Sequence, residues 1–314
     1  MSQATRNRAS SVTSNNSTIT IACALCVGAT REPYLGAALE AVSGAVDLLV
    51  VNDNSGLARS DNTATLEASA FAARGALRVH RNPFLDFADM RNRAFAGVRA
   101  LSEPPDWVLF LDADEVHGEQ VRYIAREILP HVPAEVGNVD AYTYHFWGTP
   151  RWITDVARRF VFFRYAPDIA WVNPVHEKIV NLRGRALVLP YAYHHYGNVV
   201  PPATLARKQG RYFDLGNRVP QPPGEAEATN EMFLAKARDV RRYFGAHPGA
   251  VRPTLAELER AYGAEFAALD AEFALRRGAG AKLAAAARAV NEALRVQLRR
   301  AEHPFAYRAP TRGR

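Results

Sequence analysis

Cysteine is nearly missing from this sequence: 314 residues contain two, Cys23 and Cys26. No second pair exists to complete a zinc site, and no residues of helix-start type lie between them. They fall inside the apolar run Ile19-Thr20-Ile21-Ala22-Cys23-Ala24-Leu25-Cys26-Val27, where alternation points them to opposite faces of a strand. Two buried thiols are therefore expected, not a redox or metal pair. No apolar run reaches the length of a membrane span. The stretch 1–17 is rich in Ser and Asn and lacks the apolar core of a secretory signal, so a disordered tail and a cytoplasmic protein are expected. Acidic residues are in deficit, 32 against 39 basic ones, giving a net charge of +7. That balance suits an acidic partner: nucleotide phosphates, an anionic membrane surface or nucleic acid. The basic runs Arg238–Arg242 and Arg295–Arg300 are expected to be solvated helix faces. Their cations are interleaved with Glu and Ala and no recognition motif is present, so no specific nucleic acid is expected. A peripheral contact with the inner face of an anionic membrane is the further expectation for that charge.

The first half of the chain alternates apolar runs with helix-like segments. Strands are expected at Ile19–Val27, Val46–Val51, Leu77–His80 and Trp107–Leu111, with helices at Glu32–Ser43, Asn62–Arg74 and Phe87–Leu101. That order is the pattern of a doubly wound α/β sheet with helices on both faces. From Asp140 to Gly197 aromatic and β-branched residues dominate, which predicts mixed or antiparallel strands continuing the sheet. From Pro201 onward the chain turns helical, and Leu283, Val290, Leu294 and Leu298 recur at near-helical spacing. The expected organisation is a tail over 1–17, an α/β domain over 18–216 and a helical C-terminal extension over 217–314.

One segment carries most of the chemistry. Trp107-Val108-Leu109-Phe110-Leu111 runs straight into Asp112-Ala113-Asp114-Glu115. An uninterrupted apolar run suits a strand buried on both faces, and in such sheets ligands bind beyond the carboxyl ends of the strands. Asp112 and Asp114, two apart, point to the same side. Two neighbouring carboxylates repel unless a positive charge lies between them, and a divalent cation is the usual answer. The bland alternative is an acidic turn in which Asp114 or Glu115 caps a helix beginning near Gly118.

Further groups could join this pair. Asp53 ends the strand Leu49-Val50-Val51-Asn52-Asp53, where an acid can bond a ribose or base edge, or else serve as a turn former with Asn54. Arg91, beside Asn92 early in a helix, could meet a phosphate or lie in solvent. Val175-His176-Glu177 and Tyr193-His194-His195-Tyr196-Gly197 place imidazoles and a carboxylate at expected strand ends, each a metal ligand or proton acceptor.

Taken in order, Asp53, Arg91-Asn92, Leu111-Asp112-Ala113-Asp114-Glu115, Val175-His176-Glu177 and His195-Tyr196-Gly197 resemble the family 2 glycosyltransferases with the GT-A fold. The resemblance spans roughly Thr18 to Leu215. It implies an inverting transferase that uses a nucleotide-sugar donor and Mg2+ or Mn2+ with a hydroxyl acceptor of unknown identity. By that similarity Asp53 contacts the nucleoside, Asp112 lies near ribose or metal, and Asp114 binds the metal. The chain departs from the family's Asn-Glu-Glu turn, having Ala29-Thr30-Arg31-Glu32, of which only Glu32 matches. The Glu-Asp pair that carries the catalytic base is also missing. Glu177 is the expected base, with His176 as its competitor, on the argument that a regular strand cannot aim both at one centre. His195 is the expected additional metal ligand and His194 faces away. Two rival readings are a haloacid-dehalogenase-like phosphatase using Asp112 and Asp114, and a basic nucleic-acid or membrane-binding module.

Overall fold

In the computed structural model, 19–217 and 221–276 are described. The expected N-terminal tail, the Leu283–Leu298 helix and the basic run Arg295–Arg300 lie outside the described residues.

The N-terminal half is built from β1 (Ile21–Val27), α1 (Leu35–Val42), β2 (Leu48–Asp53), α2 (Thr63–Glu67), α3 (Ala70–Ala73), β3 (Leu77–Arg81), α4 (Phe87–Arg99) and β4 (Trp107–Asp112). There follow β5 (Glu115–Val116), α5 (Gln120–Tyr123), β6 (Val136–Trp147), β7 (Thr149–Arg164), β8 (Ala170–Val172), β9 (Lys178–Val180) and β10 (Arg185–Asn198). The described chain ends with α6 (Pro202–Asp214), α7 (Glu231–Leu234), β11 (Arg241–Arg242) and α8 (Arg252–Arg276).

The main sheet has the order β3-β2-β1-β4-β7-β6-β10-β5, with β11 added alongside β7. β1 pairs in parallel with β2 and β4, and β2 with β3. Beyond β4 the sheet is mixed: β7 is antiparallel to both β4 and β6, and β6 runs parallel to β10. Continuous apolar runs suit this centre because both faces are covered. Leu35, Leu39 and Val42 of α1 pack on one face with Cys23, Leu49 and Leu109. Phe95 and Val98 of α4 pack on the other with Cys26, Val50 and Phe110. The two cysteines are thus free, buried and on opposite faces. Among the described residues no helix is long and apolar enough to cross a membrane.

Four local expectations need correction. The expected helix Asn62–Arg74 is two short helices, because Ser69 adopts an extended conformation and its side chain caps α3 by accepting from the Ala72 N–H. Neither Asp114 nor Glu115 caps the helix after Gly118; α5 starts at Gln120, and Glu115 belongs to β5, paired with β10. His176 and Glu177 lie on a loop between β8 and β9, with His176 at φ 53°, so strand alternation does not govern them. Arg241 and Arg242 form a strand paired with Ile153 and Trp152, not a solvated helix face.

The segment after 216 does not stand apart from the sheet within the described residues. Phe266, Leu269 and Phe273 of α8 share a core with Phe146, Trp147 and Trp152 of β6 and β7. Asp270 accepts hydrogen bonds from the Thr149 hydroxyl and the Trp152 indole and pairs with Arg151, satisfying polar groups at that junction.

Candidate functional site

The carboxyl ends of β1, β2 and β4 stop at one level, where Cys26 pairs with Asp112 and Val27 with Asp53. Two cavities open there. The smaller, about 180 Å³, is lined by Gly28, Glu32, Asn54, Asp114, Lys208 and Arg211 among others. The larger, about 510 Å³, lies beside β6, β7 and the β8–β9 loop. They share a wall made of Arg91, Asp112, Glu177, His195 and Tyr212.

Arg91 is the hub of that wall. Its Nη1 and Nη2 donate to the two oxygens of Asp112 at 2.8 and 3.1 Å, and its Nε donates to Glu177 at 2.5 Å. The guanidinium also sits 4.8 Å over the Phe110 ring. A guanidinium so enclosed needs carboxylate partners to offset lost hydration, and two are supplied. Its neighbour Asn92 holds β8 in place, donating to the Trp171 carbonyl and accepting from the Trp171 N–H, both at 2.8 Å. The helix of Arg91-Asn92 thereby fixes the loop that carries His176 and Glu177. Glu177 turns inward to Arg91, whereas His176 is exposed and its Nε2 lies 3.3 Å from Asn217 Oδ1.

Asp114 faces different partners. Its Oδ1 lies 3.4 Å from His195 Nε2, and Lys208 Nζ donates to Oδ2 at 3.1 Å. Burial alone would raise this carboxyl's pKa, but His195 and Lys208 outweigh it and hold it at about 2. Gly197 permits this approach: a Cβ there would run into Asp114 Oδ2 and come within 2.8 Å of His195 Cε1. Adjacent Glu115 is driven the opposite way, well above the usual carboxylate range, by burial and then by the charges of Asp112 and Asp114. Glu32 is also raised by burial, with Lys208 opposing.

Asp53 lies fully buried below the pocket. Its oxygens accept from the Ser55 N–H at 3.1 Å and the Ser60 hydroxyl at 2.8 Å, the bonding of a turn former. The next residue lines the smaller cavity instead. Asn54 Oδ1 is buried with no hydrogen-bond partner among the described residues, an acceptor that a ligand N–H would satisfy. The loop before α1 is braced by Asn62, which accepts from the Glu32 N–H and donates to the carbonyls of Gly28 and Thr30.

His194 points away from the acids, its Nε2 2.7 Å from the Tyr243 hydroxyl. It stacks with Phe146 and Tyr196, with half-buried His247 tilted alongside, and desolvation holds the pKa values of His194 and His247 down to about 3 and 4. Three residues on α6 complete the site and were not singled out from the sequence: Lys208, Arg211 and Tyr212. Tyr212 stacks on Phe87 with centroids 4.9 Å apart. Their spacing, one helical turn apart on one face, was the available signal.

The expected metal set was Asp112, Asp114 and His195. These do not converge: Asp112 is turned to Arg91, and no group of three or more His, Cys, Asp or Glu forms a cage among the described residues. Asp114 and His195 remain a carboxylate and an imidazole at one point. Mg2+ and Mn2+ sites that complete their shell with substrate phosphates and water need no more protein ligands than that. This donor pair fits such an ion.

No protein-family model and no curated protein sequence matches the chain. Solved structures similar to part of it include glucosyl-3-phosphoglycerate synthase from Mycobacterium tuberculosis with Mn2+, UDP and glucosyl-3-phosphoglycerate, 19% identical, with a TM-score of 0.28. The same synthase with Mn2+ and UDP-glucose is 18% identical, also with a TM-score of 0.28. A further mycobacterial protein is 20% identical, with a TM-score of 0.27. Each similarity covers 40% of this chain, and 44%, 44% and 41% of the respective structures, so less than half of either partner is involved.

Proposed function

We propose that the chain is a metal-dependent glycosyltransferase that moves a sugar from a nucleotide-sugar donor to a hydroxyl acceptor with inversion. One observation carries this reading: the Asp114–His195 pair and the Arg91–Asp112–Glu177 cluster stand where two cavities meet at the carboxyl ends of parallel strands. The smaller cavity would take the nucleoside diphosphate. Asn54 and Glu32 face its nucleoside end, Asp53 shapes the turn that presents Asn54, and Lys208 and Arg211 supply cations for the diphosphate. Asp114 and His195 would hold Mg2+ or Mn2+, which, when bound, offsets charge on the departing nucleoside diphosphate.

Arg91 orients Asp112 and Glu177 on the shared wall, and its part in this reading is to position them, not to meet a phosphate. Glu177 removes the proton of the acceptor hydroxyl as it attacks the anomeric carbon from the side of the larger cavity. His176, exposed on the same loop, is the alternative base. The phosphatase reading needs Asp112 as a free nucleophile, yet both its oxygens accept from Arg91.

A panel of UDP-, GDP- and dTDP-sugars tests the proposal, by thermal shift and by donor hydrolysis with Mn2+ and with chelator. Stabilisation and hydrolysis that require the metal are expected for one nucleotide. Absence of both for all three donors, or turnover unchanged in excess chelator, would overturn it.

A further inference from the structure

The larger cavity differs in charge from the smaller one. Its walls are aromatic, with Phe160, Trp171, Tyr193 and Tyr212 around it. Each carboxylate inside it already has a partner: Asp112 and Glu177 share Arg91, and Glu115 accepts from the Asp112 N–H at 3.3 Å. Arg159 on β7 and Lys178 on β9 also line it, and neither has a carboxylate within ion-pair distance among the described residues. Both residues are exposed, so their cations are open to an anion entering the cavity from solvent. Neither cation lines the smaller cavity, where Lys208 and Arg211 serve the diphosphate, so donor binding leaves Arg159 and Lys178 unmatched.

Resting on the transferase reading, we infer that the larger cavity is the acceptor site and selects a hydroxylated acid, whose carboxylate or phosphate lies between Arg159 and Lys178. The aromatic walls take the carbon face of such a molecule, and a few placed polar groups fix its orientation. The cations come from two different strands, so they grip the acid from two sides and turn its hydroxyl toward Glu177. A neutral polyol of the same shape leaves both cations without a partner.

Protein NMR with Mg2+ and UDP present provides the test, reading the Trp171 indole N–H during titration with glucuronate, glucose 6-phosphate or glucose. At least one acid is expected to perturb this signal at a tenfold or greater lower concentration than glucose, and the two acids together separate carboxylate from phosphate preference. In the Arg159→Ala/Lys178→Ala variant, all three sugars should become equivalent while UDP affinity by calorimetry stays unchanged. Glucose perturbing the signal as readily as both acids, or a preference that survives in the variant, overturns the inference while leaving donor binding intact. Failure of UDP to bind the wild-type protein overturns the transferase reading, and the acceptor role falls with it.

Discussion

His195 Nε2 lies 3.4 Å from Asp114 Oδ1, and the sheet imposes this meeting. Asp112 ends β4, yet Glu115 already pairs with His195 on β10, three strands away in the sheet order. Three peptide steps reach about 11 Å at most. The sheet must therefore curl until the ends of β4 and β10 face each other across the acidic turn. Asp114 is the residue in the gap, and the Tyr196 N–H donates to its carbonyl at 2.8 Å.

Asp114→Asn should cut metal-dependent turnover by about a hundredfold or more, because an amide is a much poorer ligand for a hard cation. His195→Ala should instead raise the Mn2+ concentration required for half-maximal activity. Circular dichroism should show both variants folded. Unchanged turnover in Asp114→Asn would remove this residue from the metal site.

Glu177→Gln should leave donor and metal affinity nearly intact while lowering turnover by about a hundredfold or more. Its amide can still accept from Arg91, so the wall keeps its shape. If that variant stays active and His176→Ala is dead with metal still bound, the base is His176.

Lys208 occupies the carboxylate oxygen that a cation would claim, and it also donates to the Gly197 carbonyl at 3.1 Å. Lys208→Met should therefore raise the affinity of the nucleotide-free protein for Mn2+ by about tenfold. It should weaken UDP binding in saturating Mn2+ by roughly one charge-assisted hydrogen bond, about 1.5–3 kcal/mol. Electron paramagnetic resonance and calorimetry measure the two effects separately, and shifts of the same sign would contradict this role.

Asp53→Ala leaves the Ser60 hydroxyl and the Ser55 N–H without their acceptor, and should destabilise the fold by about 1–3 kcal/mol in urea unfolding. Asn54→Ala should be the milder change for stability and the larger one for UDP affinity. The reverse ranking would restore Asp53 as the direct nucleoside contact.

Stability should fall on acidification from pH 6.5 toward 4. His117 and His194 are buried and His247 is half-buried, and desolvation lowers their pKa values to about 3, 3 and 4. An unfolded chain protonates these imidazoles near 6.5. Between those limits the unfolded state binds more protons, so the stability that neutral burial contributes above pH 6.5 is lost as pH drops. Asp114, held at about 2, adds the same trend below about 4. Thermal midpoints measured from pH 7 to 4 would check this, and a flat profile would refute it.

The parts legible in the sequence were those with a local cause. Continuous apolar runs announced β1, β2 and β4 because both faces are covered, and Asp112-x-Asp114 stood out because it follows such a run. The aromatic stretch expected to extend the sheet is β6, β7 and β10. Other features depend on distant packing. Nothing near Asp112 in sequence reveals that Arg91 will take both its oxygens. The α6 periodicity identifies a face bearing Lys208 and Arg211 but not the acids opposite it. The left-handed backbone at His176 has no signature in a non-glycine residue, so strand alternation does not predict where His176 and Glu177 lie. Ser69 is a capping residue type, but it sits inside an otherwise helical pattern that masks the break.

The short acidic turn also orders events in time. The parallel pairings β1–β2 and β2–β3 join residues fewer than thirty apart, whereas Asp114 gains its imidazole, 81 residues on, only after β6, β7 and β10 have joined the sheet. Closing so long a loop costs chain entropy before any contact rewards it, which makes such pairings slow. A refolding chain should thus display native-like parallel strands before it can retain a divalent ion, and the delay between the two signals would time the curling of the sheet.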